Sequence, residues 1–222
     1  MDLAGRVLYR DGLVLVIDKP AGVPVHAGPG GGPKLEEGFD SLRFGWKRPP
    51  ALAHRLDRET SGCLVLGRHP KALRRLGRLF STGRVKKTYW AWTAGAPPEE
   101  AGLVEAPLLK RSTRAGGWTM HVDGQGKRAA TRYRVLERRE DGTAWLECRP
   151  LTGRTHQIRA HLAHLGCPVV GDMRYGGPHA SRTLLHARAV TLPLHEDREP
   201  VTAEAPLPGD IEAFLADGGR QV

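Results

Sequence analysis

His54-Arg55-Leu56-Asp57-Arg58-Glu59-Thr60-Ser61-Gly62 runs directly into Cys63-Leu64-Val65-Leu66-Gly67. Nine mostly polar residues followed by an unbroken apolar run read as a loop feeding a short apolar strand. Loops held by a rigid sheet are where chemistry usually sits. Asp57 stands between two arginines, a setting that favours an ionised carboxylate. Upstream, residues 6–9 and 13–18 flank Asp11-Gly12, a strong hairpin signal. The apolar run 13–17 is continuous rather than alternating, so it is expected to be buried on both faces. Residues 28–33 read as a flexible loop without the Gly-Lys-Ser/Thr ending of a phosphate-cradling loop.

Downstream, Pro70 suits a first helical turn, Leu73, Leu76 and Phe80 recur at helical spacing, and Gly83 can close the helix. Lys71, Arg74, Arg75 and Arg78 fall on its other side as a cationic stripe. Residues 85–93 alternate: Trp90 and Trp92 point toward core, and Tyr89 looks out beside Lys87. Further strands are expected near 117–122, 128–137, 144–149, 184–191 and 201–205. A helix over 155–165 turns Ile158, Leu162 and Leu165 inward, and a terminal helix covers 208–216. Many strands with few helices predict an α+β fold built on antiparallel pairing.

The 222 residues suit one large domain or two halves sharing a sheet. Net charge is +10, carried by 26 Arg and 8 Lys against 24 acidic residues. Residues 41–90 hold thirteen basic and two acidic side chains, whereas 195–222 hold two and seven. Arginine makes bidentate phosphate contacts and stacks on bases, so a polyanionic partner leads. A GC-rich genome would also enrich arginine, but the lopsided 41–90 segment exceeds an ordinary solvated charge run. No apolar run approaches the ~20 residues needed to span a bilayer, and the start of the chain lacks a signal-peptide pattern. Three scattered cysteines, Cys63, Cys148 and Cys167, argue for a reducing cytoplasm.

A second polar cluster, Thr152-Gly153-Arg154-Thr155-His156-Gln157-Ile158-Arg159, opens the 155–165 helix. Together with residues 54–62, it resembles the motif set of the RluA-type pseudouridine synthases. The resemblance takes in Lys19-Pro20-Ala21-Gly22, Lys87-Thr88-Tyr89, the stretch from Gly126 to Leu136, and Leu151 to Gly171, in family order. It covers nearly the whole chain. Cys63 and Cys167 depart from the usual residues, and 28–50 matches poorly.

The resemblance implies a pseudouridine synthase fold: a mainly antiparallel mixed sheet flanked by helices around a central basic cleft. It implies one catalytic domain over 1–222 with no leading S4 domain. The implied reaction converts uridine to pseudouridine in ribosomal RNA, transfer RNA or both. The N1–C1′ bond breaks, the uracil turns, and C5 bonds to C1′, which calls for no redox cofactor, nucleotide or metal. Asp57, Tyr89 and Arg154 correspond to the catalytic set, with Arg154 orienting Asp57 and Tyr89 stacking on the base. For Asp57, attack on the uracil, attack on C1′ and removal of a ribose proton all remain open. Arg55 corresponds to the residue that fills the space of the flipped base, and Arg58, Lys87, His156 and Arg159 are expected against RNA. A cytoplasmic monomer with no obligate protein partner is expected.

Four other readings compete. His161, His164 and Cys167 have loose metal-ligand spacing, but their helical positions drift around the axis. His54-Arg55-Leu56-Asp57 looks like a kinase catalytic loop, yet no glycine-rich loop or Asp-Phe-Gly accompanies it. A glycosidase would want two carboxylates across a cleft, and only Glu59 is near Asp57. A non-catalytic RNA-binding or ribosome-assembly protein would need the basic surface but neither Asp57 nor Tyr89.

Overall fold

Asp11 closes the first hairpin with its own side chain: Oδ1 accepts from the backbone N–H of Leu13 and of Val14, both at 2.7 Å. In the computed structural model, which describes residues 2–26, 34–112 and 117–216, twelve strands and three α-helices follow in α+β order. The strands are β1 (Val7–Arg10), β2 (Val14–Lys19), β3 (Ala51–Leu52), β4 (Ser61–Gly67), β5 (Lys86–Ala94) and β6 (Ala101–Glu105). They continue as β7 (Leu108–Ser112), β8 (Trp118–Val122), β9 (Ala130–Arg138), β10 (Thr143–Pro150), β11 (Leu185–Leu192) and β12 (Val201–Glu204). The helices are α1 (Pro70–Ser81), α2 (Gln157–His164) and α3 (Gly209–Ala216). Two compact units form, one from Met1–Lys87 with Ala187–Pro206 and one from Thr88–His186 with Leu207–Val222. The expected loop at 28–33 lies outside the described residues.

In the first unit β2 pairs antiparallel with both β1 and β4. The continuous apolar reading of 13–17 holds for Val14, Leu15, Val16 and Ile17, all buried, and β4 is likewise buried along its whole length. Val14, Val16 and Val65 pack with Leu76 and Leu79 of α1 and with Val190 and Leu192 of β11. Helix α1 starts at Pro70, where the His69 ring nitrogen accepts from Ala72 N–H at 3.2 Å. It ends with Gly83 left-handed at φ 69°. Its buried face is Ala72, Leu76 and Leu79, centred one position before the predicted stripe. Leu73 instead packs over Gly67, where a Cβ would stand 2.7 Å from its side chain. Lys71, Arg74, Arg75 and Arg78 are exposed, as their spacing predicts.

In the second unit β10 pairs antiparallel with β5 and β9, and β9 pairs with β6. Alternation along β10 turns Ala144, Leu146 and Cys148 to a core shared with Ala91, Val135 and, from α2, Ile158 and Leu162. On the opposite face, Trp92 meets Trp145 and Phe214 of α3. Both faces of β5 are therefore covered. Tyr89 does not look out to solvent as its alternation predicts; it is half-buried against the first of these cores. Helix α2 begins two residues later than expected because His156 is left-handed at φ 52°. No helix among the described residues is long and apolar enough to cross a membrane.

Candidate active site

The loop carrying Asp57 is fastened at several points within the first unit. Lys19, at the end of β2, is fully buried. Its Nζ donates to the carbonyls of Pro20 at 2.7 Å, Val23 at 2.9 Å and Arg58 at 3.0 Å. Arg58 Nε reaches back to the Gly22 carbonyl at 2.9 Å. One cation thus ties the turn after β2 to the residue next to Asp57, and a second tie crosses beside it. Asp57 itself is half-buried, and its carbonyl accepts from Thr60 N–H at 3.2 Å. Beyond the loop, Gly62 adopts φ 103°, and a Cβ there would lie 2.3 Å from the Ala187 carbonyl oxygen. Only glycine meets both the dihedral and the approach. Arg55 and Arg58 are exposed, Lys87 is half-buried, and burial lowers the Lys87 pKa.

His54 anchors the start of the loop. Its Nε2 accepts from Val65 N–H at 3.0 Å, and its ring stacks on Phe80 with centroids 4.7 Å apart. Burial, aided by the Lys87 charge, pushes its pKa down to about 3. Between an unfolded value of about 6.5 and that folded value, the unfolded chain binds a proton that the folded chain rejects. The His54 contribution is therefore complete above about pH 6.5 and is lost as pH falls, at about 1.4 kcal/mol per pH unit. We expect the stability of the wild type, followed by urea unfolding, to fall more steeply between about pH 6.5 and pH 4.5 than that of His54→Gln. Parallel profiles would refute this role.

In the second unit, the cluster before α2 is organised by Gln157. Its Oε1 accepts from Arg154 N–H at 3.0 Å and from the Thr152 hydroxyl at 2.6 Å. Its Nε2 donates to Ala130 O and Thr131 Oγ1. Arg154 Nε donates to the Arg128 carbonyl at 3.1 Å. His156 stacks on Trp118 at 4.9 Å, and its Nδ1 lies 2.9 Å from the Tyr175 hydroxyl.

Arg159, expected against RNA, is turned inward. It is 7% exposed and grips Asp172 with two hydrogen bonds of 2.6 and 2.7 Å. As the third residue of α2 it faces the protein, and the carboxylate thirteen residues on neutralises it. His161, considered as a metal ligand, places Nδ1 2.9 Å from Thr131 Oγ1 and Nε2 2.9 Å from the Ala106 carbonyl.

Of the predicted site residues, Asp57, Arg55, Arg58 and Lys87 belong to the first unit, and Tyr89, Arg154, His156 and Arg159 to the second. Sequence reasoning quoted Lys19 and Gln157 inside motifs but gave neither a task. A lysine closing a strand that opens on the apolar run 13–17 is the signal that points to Lys19. Trp118 was missed entirely; Lys110 and Arg174 lie over its ring, and no local pattern joins those three positions.

Residues 13–164 match the family model described as RNA pseudouridylate synthase. The chain is 48% identical over 210 residues to an uncharacterised RNA pseudouridine synthase of Zymomonas mobilis, covering 93% of this chain and 95% of that protein. It is 37% identical over 228 residues to ribosomal large subunit pseudouridine synthase C of Escherichia coli strain K12, covering 96% of this chain and 70% of that one. Among solved structures, human RNA pseudouridylate synthase domain containing 4 superposes with a TM-score of 0.80 at 28% identity, over 96% of this chain and 93% of that one. Human RNA pseudouridylate synthase domain containing 1 gives 0.76 at 32%, over 91% and 83%.

Proposed function

The chain belongs to the RNA pseudouridylate synthase family, and from that premise we propose that it isomerises uridine in ribosomal RNA, with Asp57 at the reacting centre. The observation that carries the proposal is the braced loop, in which Lys19 and Arg58 fix the backbone on which Asp57 stands. A positioned carboxylate is what a bond exchange at C1′ and C5 requires, because orientation removes much of the barrier. In that exchange the N1–C1′ bond is replaced by a C5–C1′ bond; C5 gives up a proton and N1 gains one. Tyr89 and Arg154 enter the proposal through the family resemblance, as the base-stacking residue and the partner of the carboxylate. Ribosomal RNA is favoured by the likeness to the large-subunit enzyme, and a reducing cytoplasm by three free, buried cysteines.

Pseudouridine mapping across ribosomal and transfer RNA, with the gene intact, deleted or restored, tests the substrate. One or more large-subunit positions should vanish on deletion and return on complementation. If no position changes, and the purified protein makes no pseudouridine on ribosomal transcripts, the ribosomal assignment is wrong.

Arg55 is exposed on the same loop and is proposed to occupy the place of the flipped base. Its planar guanidinium can stack there, and extrusion costs a few kcal/mol only where the base is paired or stacked. Arg55→Ala should slow turnover about tenfold or more on a folded stem and less than about threefold on an unstructured strand of the same sequence. Equal losses on the two substrates would count against a flipping role.

A further inference from the structure

Residues 43–46 form a tight turn that costs energy to hold. After the 3₁₀ helix Leu35–Leu42, Phe44 and Gly45 both take left-handed dihedrals, φ 42° and 85°. An aromatic residue in that region persists only when its surroundings enforce it. The enforcer is Arg68, a buried side chain that donates to the carbonyls of Asp11 at 2.8 Å, Arg43 at 3.0 Å and Phe44 at 3.4 Å. Arg10 lies 4.4 Å over the Phe44 ring, and Trp46 N–H closes the turn on the Arg43 carbonyl.

What this turn presents is Trp46. His69 stacks against its ring with centroids 5.5 Å apart and planes 21° apart, and the Arg68 guanidinium lies 5.2 Å from the centroid. Trp46 nevertheless stays 41% exposed. Nothing in core packing calls for a braced, strained turn that leaves an indole in solvent. Lys47 and Arg48 follow it, and α1 begins right after His69 with Lys71, Arg74, Arg75 and Arg78 exposed. Among the described residues, none of these six cations forms an ion pair with a carboxylate.

We propose that Trp46 is a stacking subsite for a second, unpaired base of the substrate RNA, not the uridine that reacts, with Lys47, Arg48 and the exposed face of α1 holding the adjacent phosphates. The proposal rests on the reading of RNA as substrate. A flat π-face accompanied by exposed cations is complementary to single-stranded nucleic acid, where stacking holds the base and cations track the backbone. An acidic peptide would satisfy the charges and leave the indole unused.

Binding of a labelled oligouridylate and of an abasic strand of the same length separates the base from the backbone. The wild type should prefer the oligouridylate. Trp46→Ala should weaken oligouridylate binding about tenfold and leave the abasic strand unchanged, and Trp46→Phe should restore most of the loss. Trp46→Leu keeps apolar bulk without a π-face and should behave like Ala, which covers the case in which the alanine variant folds poorly. Arg74→Glu with Arg75→Glu should weaken both strands alike. If Trp46→Leu keeps the full preference for the oligouridylate, the subsite is refuted, and a protein or anionic surface becomes the occupant to seek. Because binding is read directly, this result is independent of whether ribosomal RNA is the modified substrate.

Discussion

Asp57→Asn and Asp57→Ala should each lower pseudouridine formation by more than about 10³-fold while RNA affinity changes by less than about threefold. The argument for so large a split is structural. The loop backbone is held by Lys19, Arg58 and the Thr60 N–H, and each of these bonds ends on a main-chain carbonyl. Asparagine also preserves the side-chain shape, so the loop should keep its course when the charge is removed. Phosphate contacts from exposed cations supply most of the affinity for RNA, and they are untouched. Single-turnover release of the C5 proton from labelled substrate, with binding measured in parallel, reads both numbers. Retention of more than about a tenth of the wild-type rate in Asp57→Asn would remove Asp57 from the chemistry.

The residues that carry this expectation were legible because they are contiguous. The polar run 54–62 and the apolar run 63–67 sit side by side in the sequence, and β4 folds as that boundary predicts. The Asp11-Gly12 turn and helix α1 were legible for the same reason: one rests on the Asp11 side chain, the other on Pro70, Gly83 and a helical period. What escaped depends on partners far along the chain. Tyr89 reads as facing out until it is known that α3, more than a hundred residues later, covers one face of β5 while α2 packs beyond the other. Arg159 reads as a free cation until Asp172 is seen beneath it. Strand β6 escaped because Leu103 is exposed beside buried Val104, an apolar pair in a run too short to show a period. The Trp46 turn carries no local signature either, since Arg68, which holds it, enters from the end of β4.

Lys19→Met should destabilise the protein by about 3–5 kcal/mol and lower turnover about 100-fold. Methionine keeps the apolar stem and nearly the same volume, so packing within the first unit changes little. It removes the donor that serves the Pro20, Val23 and Arg58 carbonyls. Hydrogen bonds from a charged donor contribute about 1.5–3 kcal/mol each, and buried carbonyls that lose theirs keep the cost of desolvation. The same ammonium is what couples the turn after β2 to Arg58, one residue from Asp57. Without it the loop should lose the registration that orients the carboxylate, and an error of about 1 Å costs roughly 10² in rate. Arginine should not substitute: its rigid planar fork cannot aim donors at three carbonyls gathered around one buried point. Thermal unfolding and single-turnover rates of Lys19→Met and Lys19→Arg separate the two effects. A melting temperature within about 2 °C of the wild type would show that Lys19 is dispensable to the loop. A stable Lys19→Met variant that turned over at the wild-type rate would show that Asp57 is oriented by something else.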